Sequence, residues 1–175
     1  MLRLMLLRHA KSGRSEPGQR DHDRPLAPRG RENASQIGAY MSRHGLIPDL
    51  VLTSPAKRSC ETSDLIAAAF KTPPPVVQEP KLYQAEPEKI IETARASPRE
   101  VRTLLIVGHN PGLHIAANLL VASGNIDARE RLREKLSTTG LVIIDFAFDD
   151  WRKLHLNAGR LDRFVVPRML TAATD

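Results

Sequence analysis

The segment Leu4-Met5-Leu6-Leu7-Arg8-His9-Ala10 is the strongest indication of the fold, because four consecutive apolar residues end abruptly at an arginine and a histidine. Such a run is typical of a buried central strand of a parallel sheet. In sheets of this kind, ligands bind outside the carboxyl ends of the strands. Arg8 and His9 are therefore predicted to lie at a functional site. The dipeptide recurs as Arg43-His44, but at the end of a predicted helix, where we interpret it as a solvated terminus.

Two further strand ends carry similar chemistry. The apolar run 104–107 leads into Gly108-His109, and a predicted strand over 49–53 leads into a segment that ends at Arg58. Arg58 is expected in the first turn of a helix, where unpaired backbone N–H groups and the helix dipole favour an anion, although Arg58 alone could be a solvated helix arginine. Two histidines, two arginines and two helix starts at one sheet edge together predict a phosphate site.

The length and composition indicate one compact domain over residues 1–175. The chain has 175 residues, of which 41% are apolar, enough to bury a full core. No apolar run approaches the about 18 residues of a membrane span, and the N-terminal run is too short for a signal peptide, so we expect a soluble cytoplasmic protein. Cys60 is the single cysteine, which rules out an intrachain disulfide, and its helical spacing favours a core role over a reactive one.

The charge pattern favours a small anionic ligand over nucleic acid. The net charge is +6, from 26 basic and 20 acidic residues, and only 4% of the residues are aromatic. The basic residues are scattered and are not interleaved with aromatic ones, as a nucleic-acid surface would require. We therefore expect no nucleic-acid partner. Because no apolar run is long enough to span a membrane, we also expect no membrane partner, and we expect a monomer.

Strands and helices alternate along the chain. Strands are predicted over 2–7, 49–53, 76–78, 103–107 and 141–148, with late edge strands over 154–156 and 163–166. Helices are predicted over 28–44, 54–70 and 87–95 and from Pro111 onward, with Ser54 as a helix N-cap. The charged segment 123–135 is interpreted as a loop with a helical turn, and Trp151 as a hairpin aromatic on the sheet edge. This alternation predicts a three-layer α/β/α sandwich with a mostly parallel sheet.

The motifs, taken in order, resemble the histidine phosphatase superfamily, also called phosphoglycerate mutase-like, and within it a small SixA-type phosphohistidine phosphatase branch. The segments that carry the resemblance are Arg8-His9-Ala10, Asp23-Arg24-Pro25-Leu26 with Arg29-Gly30, Ser54-Pro55-Ala56-Lys57-Arg58 with Glu61-Thr62, Leu82-Tyr83-Gln84-Ala85 and Gly108-His109-Asn110-Pro111-Gly112. The resemblance implies a phosphoglycerate mutase-like fold for the chain.

The resemblance also implies roles for the site residues. His9 would be the nucleophile that forms a covalent phosphohistidine intermediate, with one ring nitrogen free and the other donating to a backbone carbonyl. Arg8, Arg58 and His109 would stabilise the transferring phosphoryl group, with Arg24 as a fourth donor. Because fixed cations supply the positive charge, we expect no metal or other cofactor.

One departure from the wider superfamily bears on the substrate. Mutase and acid-phosphatase relatives place a glutamate after the middle of the chain as proton donor, whereas this chain has only Glu86 nearby, which is more simply an exposed residue opening a helix. Without an acid, alkoxide leaving groups are disfavoured, while a phosphorylated imidazole leaves easily. The expected substrate is therefore a phosphohistidine-bearing protein, or else a small phosphoramidate or phosphoester.

Several alternatives stay open at the level of sequence. The chain could be a phosphomonoesterase or mutase acting on small phosphate esters, a non-catalytic phosphohistidine-binding module, or a basic nucleic-acid partner that retains the fold. Among other residues, Asp21 or Asp23 could orient Arg24, and the segment 137–139 could offer a hydroxyl to the site. His22 between two aspartates is interpreted as a solvated turn rather than a metal fragment, and His114 as a helix-surface residue.

Overall fold

A computed structural model describes residues 1–172 and contains a seven-stranded sheet flanked by helices. The strands are β1 (Leu2–Arg8), β2 (Leu50–Thr53), β3 (Val76–Gln78), β4 (Thr103–Gly108), β5 (Val121–Gly124), β6 (Leu141–Phe146) and β7 (Gly159–Val165). The helices are α1 (Pro28–Arg43), α2 (Lys57–Ala67), α3 (Pro87–Arg95), α4 (Gly112–Leu120), α5 (Ile126–Glu134) and α6 (Pro167–Ala172). Short 3-10 turns cover Asp21–Asp23, Pro80–Leu82 and Trp151–Lys153.

The strands lie in the order β3-β2-β4-β1-β6-β7-β5. β1 pairs in parallel with β4, where Leu6 is opposite Ile106, and antiparallel with β6, where Leu6 is opposite Val142. β7 is antiparallel to β6 and parallel to β5, so β6 is the one strand of the sheet that runs against the other six. The prediction of a mostly parallel sheet is confirmed.

The sheet separates two apolar cores, which confirms the three-layer prediction. Leu4 and Leu6 of β1 face the core that contains residues of α3, α4 and α5. Met5 and Leu7 face the opposite core, which contains residues of α1 and α2. Because successive side chains of a strand point to opposite faces, a central strand covered on both faces has to be apolar throughout.

Helix α1 fixes the loop that follows β1. Its buried face includes Ile37 and Met41, and Gly45, with a φ of +66°, follows its end as expected for a left-handed terminating residue. At the other end, Gly30 lies against the loop so closely that a Cβ there would come within 2.1 Å of the Lys11 carbonyl oxygen. The Ala27 N–H donates to the same oxygen at 2.9 Å. The backbone just after His9 is therefore held against the start of α1.

The bounds of α2 differ from the prediction. The helix begins at Lys57 and ends at Ala67, rather than covering 54–70, and Ala56 is its N-cap in place of Ser54. The Ser54 side chain is engaged with His109, and Phe70 packs into the core from the turn that follows the helix. Cys60 is half-buried rather than a full core residue, and burial raises the pKa of its thiol.

The segment 123–135 is not a loop, and the prediction there is wrong. Its first residues end the edge strand β5, which pairs with β7, and the remainder forms α5. The Asn125 side chain caps α5 by accepting from the Ala128 N–H at 2.9 Å. Six of the nine residues of α5 are charged, and Ala128 and Leu132 are the buried ones. Two apolar contacts in nine residues leave little periodic signal in the sequence.

The C-terminal part of the sheet also differs from the prediction. Residues 154–156 form no strand, β6 ends at Phe146, and β7 starts at Gly159 and lies inside the sheet between β6 and β5. Trp151 is fully buried in a 3-10 turn, where its indole N–H donates to the Val101 carbonyl at 2.7 Å. This buried bond places the indole in the core under α3, and not on a hairpin.

Among the helices of residues 1–172, none combines the length and the apolar character that a membrane span requires.

Candidate active site

The carboxyl ends of three neighbouring parallel strands bring two histidines and an arginine together. His9 follows β1, His109 follows β4, and Arg58 lies in the first turn of α2, after β2. The two imidazole centroids are 5.1 Å apart. Arg58 Nε lies 3.4 Å from His9 Nε2, and Arg58 Nη2 lies 3.4 Å from His109 Nδ1. Each of the three residues is less than one-tenth exposed, so their polar groups face one another below the surface at this edge of the sheet, and we refer to the space between them as the crevice.

One nitrogen of His9 is committed to the backbone. His9 Nδ1 lies 2.8 Å from the Ala10 carbonyl oxygen, and because a carbonyl only accepts, we assign the ring hydrogen to Nδ1. His9 Nε2 then carries a lone pair toward Arg58. The backbone at Ala10 is also held from its other side, because the Ala10 N–H donates to Thr62 Oγ1 at 3.0 Å and the Thr62 hydroxyl donates to the Arg58 carbonyl at 2.7 Å. Thr62 thus ties the orientation of His9 to α2.

His109 is oriented by a serine. Arg58 Nη2 is a donor, so His109 Nδ1 has to accept, and Nε2 carries the hydrogen and donates to Ser54 Oγ at 2.7 Å. Ser59 Oγ lies 3.5 Å from the same nitrogen. Sequence reasoning missed this role of Ser54, since a serine before a proline and a helix has the local signature of an N-cap.

Both histidines are neutral near neutral pH. Burial lowers the pKa of His9 to about 4, and the positive charges of Arg58 and Arg8 act in the same direction. Burial and the neighbouring His9 and Arg58 lower the pKa of His109 to about 3. Burial deprives a charged imidazole of hydration and so favours the neutral form, which leaves the lone pair of His9 Nε2 available.

Arg8 and Arg24 approach the crevice from two sides. Arg8 Nη1 donates to the Leu136 carbonyl at 3.0 Å, and burial lowers the pKa of its guanidinium. Arg24, on the loop after β1, donates to Asp21 Oδ1 at 3.0 Å and to the Ser12 hydroxyl. The Nε atoms of Arg8 and Arg24 are buried and have no hydrogen-bond partner among residues 1–172. Each arginine therefore has one donor that no group of the described residues satisfies.

Asp21 links Arg58 of the site to Tyr83 and Arg24, which lie on two different loops. Its Oδ2 accepts from Arg58 Nη2 at 3.0 Å and from the Tyr83 hydroxyl at 2.6 Å. The hydrogen bond from Tyr83, followed by that from Arg58, lowers the pKa of the Asp21 carboxyl to about 2. The Tyr83 ring stands edge-on to His109, with centroids 5.6 Å apart. The sequence indicated Asp21 as a possible partner of Arg24, but not its bonds to Arg58 and Tyr83, which join residues distant in the chain.

Other sequence candidates lie outside this arrangement. Glu86 is the exposed N-cap residue of α3 and makes no side-chain capping bond. The His22 ring packs edge-on against Tyr83, and no group of three His, Cys, Asp or Glu side chains within residues 1–172 is placed to hold a metal ion. His114 Nε2 contacts the Leu132 carbonyl, so His114 joins α4 to α5 instead of lying free on the surface.

The segment 137–139 supports the site through its backbone. The Thr139 N–H is shared between the Arg8 and His9 carbonyl oxygens, at 3.0 and 3.2 Å. Thr139 is fully buried, with a φ of +62°, and its hydroxyl has no partner within residues 1–172. The structure therefore brings Thr139 against the backbone of the Arg8-His9 pair, without giving its hydroxyl a contact to either imidazole.

Comparisons with known proteins show which family and which solved structures the chain resembles. The sequence pattern of the histidine phosphatase superfamily (branch 1) matches residues 4–86. An uncharacterized protein of Mycobacterium leprae is 38% identical over 166 residues, which are 93% of this chain and 100% of that protein. SixA from Agrobacterium tumefaciens has a similar crystal structure, with a TM-score of 0.80 and 29% identity over 95% of this chain and 98% of that chain. SixA from Nakamurella multipartitia gives a TM-score of 0.81 and 27% identity over 95% and 96% of the two chains.

The fold and these similarities thus place the chain among proteins of the histidine phosphatase type, with the phosphoglycerate mutase-like architecture. The chain belongs to the histidine phosphatase superfamily, in its SixA-type branch. The resemblance predicted from the motifs is confirmed.

Proposed function

We propose that this protein hydrolyses phosphohistidine through a covalent intermediate on His9. The observation that carries the proposal is the state of the His9 ring: Nδ1 is tied to the Ala10 carbonyl, and Nε2 presents its lone pair beside Arg58. In the first step, Nε2 attacks phosphorus in line, a new N–P bond forms, and the N–P bond of the substrate breaks. The leaving imidazole takes its proton from solvent. In the second step, water attacks the phosphorus, releasing phosphate and restoring neutral His9.

Fixed positive groups stabilise the transferring phosphoryl group. Arg58 and Arg8 present guanidinium N–H groups, which suit phosphate oxygens and stay charged. His109 contributes once the anion is present, because a dianion nearby raises the pKa of the imidazole and favours its protonated form. The added proton, taken from solvent, goes to Nδ1, since Nε2 already donates to Ser54; Nδ1 then gives up the bond from Arg58 Nη2 and donates to a phosphoryl oxygen instead. With these cations in place, we further propose that the reaction requires no metal ion.

The site chemistry favours a leaving group that needs little help from the protein. Asp21 is the carboxylate that contacts the site within residues 1–172, and a carboxyl with a pKa of about 2 holds no proton to donate near neutral pH. Burial and the adjacent Asp21 raise the pKa of Tyr83, which makes it a weaker acid as well. An alkoxide would leave poorly from this site, whereas an imidazole leaves readily. The SixA relatives, for which phosphohistidine hydrolysis has been suggested, support the same substrate class.

The first test compares substrates that differ in their leaving group. A phosphorylated histidine-containing transfer domain, phosphoramidate, p-nitrophenyl phosphate and a sugar phosphate are assayed under one set of conditions. We expect kcat/KM for the phosphohistidine protein to exceed that for the sugar phosphate by about a hundredfold, the contribution of one missing general acid, with the aryl ester between them. EDTA is expected to leave the rates unchanged, and vanadate to inhibit.

The second test identifies the residue that becomes phosphorylated. The enzyme is incubated with a substrate that carries a radioactive phosphoryl group, the reaction is stopped rapidly without acid, and the labelled residue is located. We expect the label on His9 in the wild type and none in His9→Ala, while His114→Ala, which alters a histidine outside the site, keeps the label. A sugar phosphate as the best substrate would contradict the proposal and direct attention to Glu86 as an acid. Full activity of His9→Ala would contradict the covalent mechanism.

A further inference from the structure

A polar groove lies beside the crevice, between the N-terminal half of α1 and the pair α5 and α6. Its volume is about 510 Å³, and its lining includes Arg29 and Gln36 of α1, Lys135 after α5, and Arg168 of α6. A volume in the range of about 300–1,000 Å³ is that of pockets that hold a bound ligand or a short chain segment. The groove is therefore large enough for more than a phosphoryl group.

The groove adjoins the proposed nucleophile through one short segment. Ser137 and Thr138 line it, and they lie between Leu136, whose carbonyl accepts from Arg8, and Thr139, whose N–H bonds the Arg8 and His9 carbonyls. A chain bound in the groove thus continues within a few residues to the point where a phosphorylated side chain meets His9.

The charges of the groove are unpaired and mostly positive. Arg29, Lys135 and Arg168 are exposed, and none of them makes an ion pair among residues 1–172. Arg131 also lines the groove, but it is occupied with the Phe164 carbonyl and ring. Four basic residues therefore stand against two acidic ones, Glu32 and Glu134. This excess attracts a segment rich in carboxylates.

Two further features favour a polypeptide over a nucleic acid. The side chains of Asn33 and Gln36 line the groove, and side-chain amides can both donate to and accept from the backbone of a bound chain. No aromatic side chain lines the groove, so bases would find no stacking surface there.

We propose that this groove binds an acidic segment that flanks the phosphohistidine of a protein substrate. The groove would supply recognition of the polypeptide, while the crevice supplies the chemistry. This inference rests on the proposed function and adds the chemical character of the partner to it.

The test uses two phosphohistidine peptides of equal length, one flanked by Asp and Glu and one by Asn and Gln, with phosphoramidate as the small substrate. Wild type is compared with Lys135→Glu/Arg168→Glu. The matched control is Lys71→Glu/Arg43→Glu, which changes the net charge equally at exposed positions at the opposite end of the helices. We expect wild type and the control to prefer the acidic peptide by about tenfold in kcat/KM, and the groove variant to lose this preference, as expected for two surface charge pairs.

The outcomes separate the two proposals. Phosphoramidate turnover is expected to be equal in all three proteins, because it does not reach the groove. If the groove variant preferred the acidic peptide as strongly as wild type does, the docking inference would be overturned while the proposed function stayed intact. Poor turnover of both peptides and of phosphoramidate by wild type, relative to a sugar phosphate, would instead reject the proposed function. An RNA oligonucleotide that binds wild type more tightly than the groove variant, with no difference between the peptides, would reject a polypeptide occupant.

Discussion

Arg58 is held by Asp21 through two hydrogen bonds, one from Nη1 to the Asp21 carbonyl at 2.8 Å and one from Nη2 to Oδ2 at 3.0 Å. The loop after β1 thereby orients a guanidinium that lies on α2, while its Nε points to His9. A planar group with several donors in fixed directions is needed to serve all these partners at once. The contact converts a flexible surface side chain into a rigid, buried one.

Replacing Arg58 by lysine is expected to abolish this arrangement while keeping the charge. An ammonium group is a point charge and cannot span Asp21, His9 and a phosphate oxygen together. We expect kcat for phosphoramidate to fall by about a hundredfold or more, as for loss of one preorganised donor. The control is Arg31→Lys, which keeps the charge of an arginine paired with Glu61 outside the crevice. Near-normal kinetics of Arg58→Lys would show that its fork geometry is unimportant.

Replacing Thr62 by valine is expected to impair catalysis even though Thr62 does not contact the substrate. The change leaves the buried Ala10 N–H without its acceptor, which costs about 1–3 kcal/mol in the free energy of unfolding, and it loosens the carbonyl that orients His9. We expect kcat to fall by about tenfold with KM little changed, because a misaligned nucleophile loses reactivity before it loses binding.

The control for Thr62 is Ser63→Ala. Its hydroxyl makes the same kind of bond to the carbonyl four residues earlier, at 2.9 Å, but it is not bonded to the loop that carries His9. Steady-state kinetics and denaturant unfolding are measured on both variants. If both variants lost kcat equally, the effect of Thr62 would be one of general helix stability.

Replacing Gly30 by alanine is expected to displace the backbone that follows His9. The new Cβ would lie 2.1 Å from the Lys11 carbonyl oxygen, and backbone atoms cannot yield as a flexible side chain can. We expect a loss of at least about 2 kcal/mol in stability, of the kind caused by overpacking, together with reduced kcat. Gly13→Ala is the comparison, since a Cβ at Gly13 meets nothing within 4 Å. A fully active, stable Gly30→Ala would mean that the start of α1 does not fix this loop.

The two buried histidines predict acid sensitivity. Their folded-state pKa values, about 4 for His9 and about 3 for His109, lie below the value of an unfolded imidazole. At a pH between the folded-state and the unfolded-state pKa of each histidine, the unfolded chain binds more protons than the folded protein. The free energy of unfolding is therefore fully retained above the unfolded pKa and decreases as the pH falls toward the folded pKa. Each histidine contributes a slope of up to about 1.4 kcal/mol per pH unit over this range.

The measurement is the free energy of unfolding by denaturant at about pH 7 and about pH 5, with the slope expected from proton linkage. His109→Gln is expected to show a smaller decrease than wild type, because one of the two groups no longer titrates. His155→Gln, which changes an exposed histidine, is expected to match wild type. An unchanged pH dependence in His109→Gln would contradict the low pKa of His109.

The sequence was sufficient to predict the central strands and the residues at their ends. β1 and β4 are buried on both faces, so their apolar runs are unbroken, and the change to Arg8-His9 or Gly108-His109 is visible in the sequence alone. In contrast, α5 buries only Ala128 and Leu132, which its charged residues obscure. A strong periodic signal requires a wide buried face, and α5 does not have one.

The supporting contacts of the site were harder to predict because they join distant segments. Asp21 and Arg58, Ser54 and His109, and Ala10 and Thr62 meet only after the sheet and helices assemble. The local pattern at Ser54 even favoured another role, that of a helix cap. Short-range rules predict short-range bonds, and polar groups in a tertiary site can satisfy their hydrogen bonds elsewhere.

The central place of β1 has a consequence for how the chain acquires its shape. β1 leaves the ribosome well before its two neighbours, β4 and β6, so its apolar residues have no strand partner until those segments are made. Pairings between such distant segments slow folding, because the chain has to close long loops before it gains contacts. A fragment that ends before Leu141 would contain Arg8, His9, Arg58 and His109 and still leave one edge of β1 open. Such an open apolar edge is a site for aggregation, so a nascent chain of this protein has to be protected until β6 emerges.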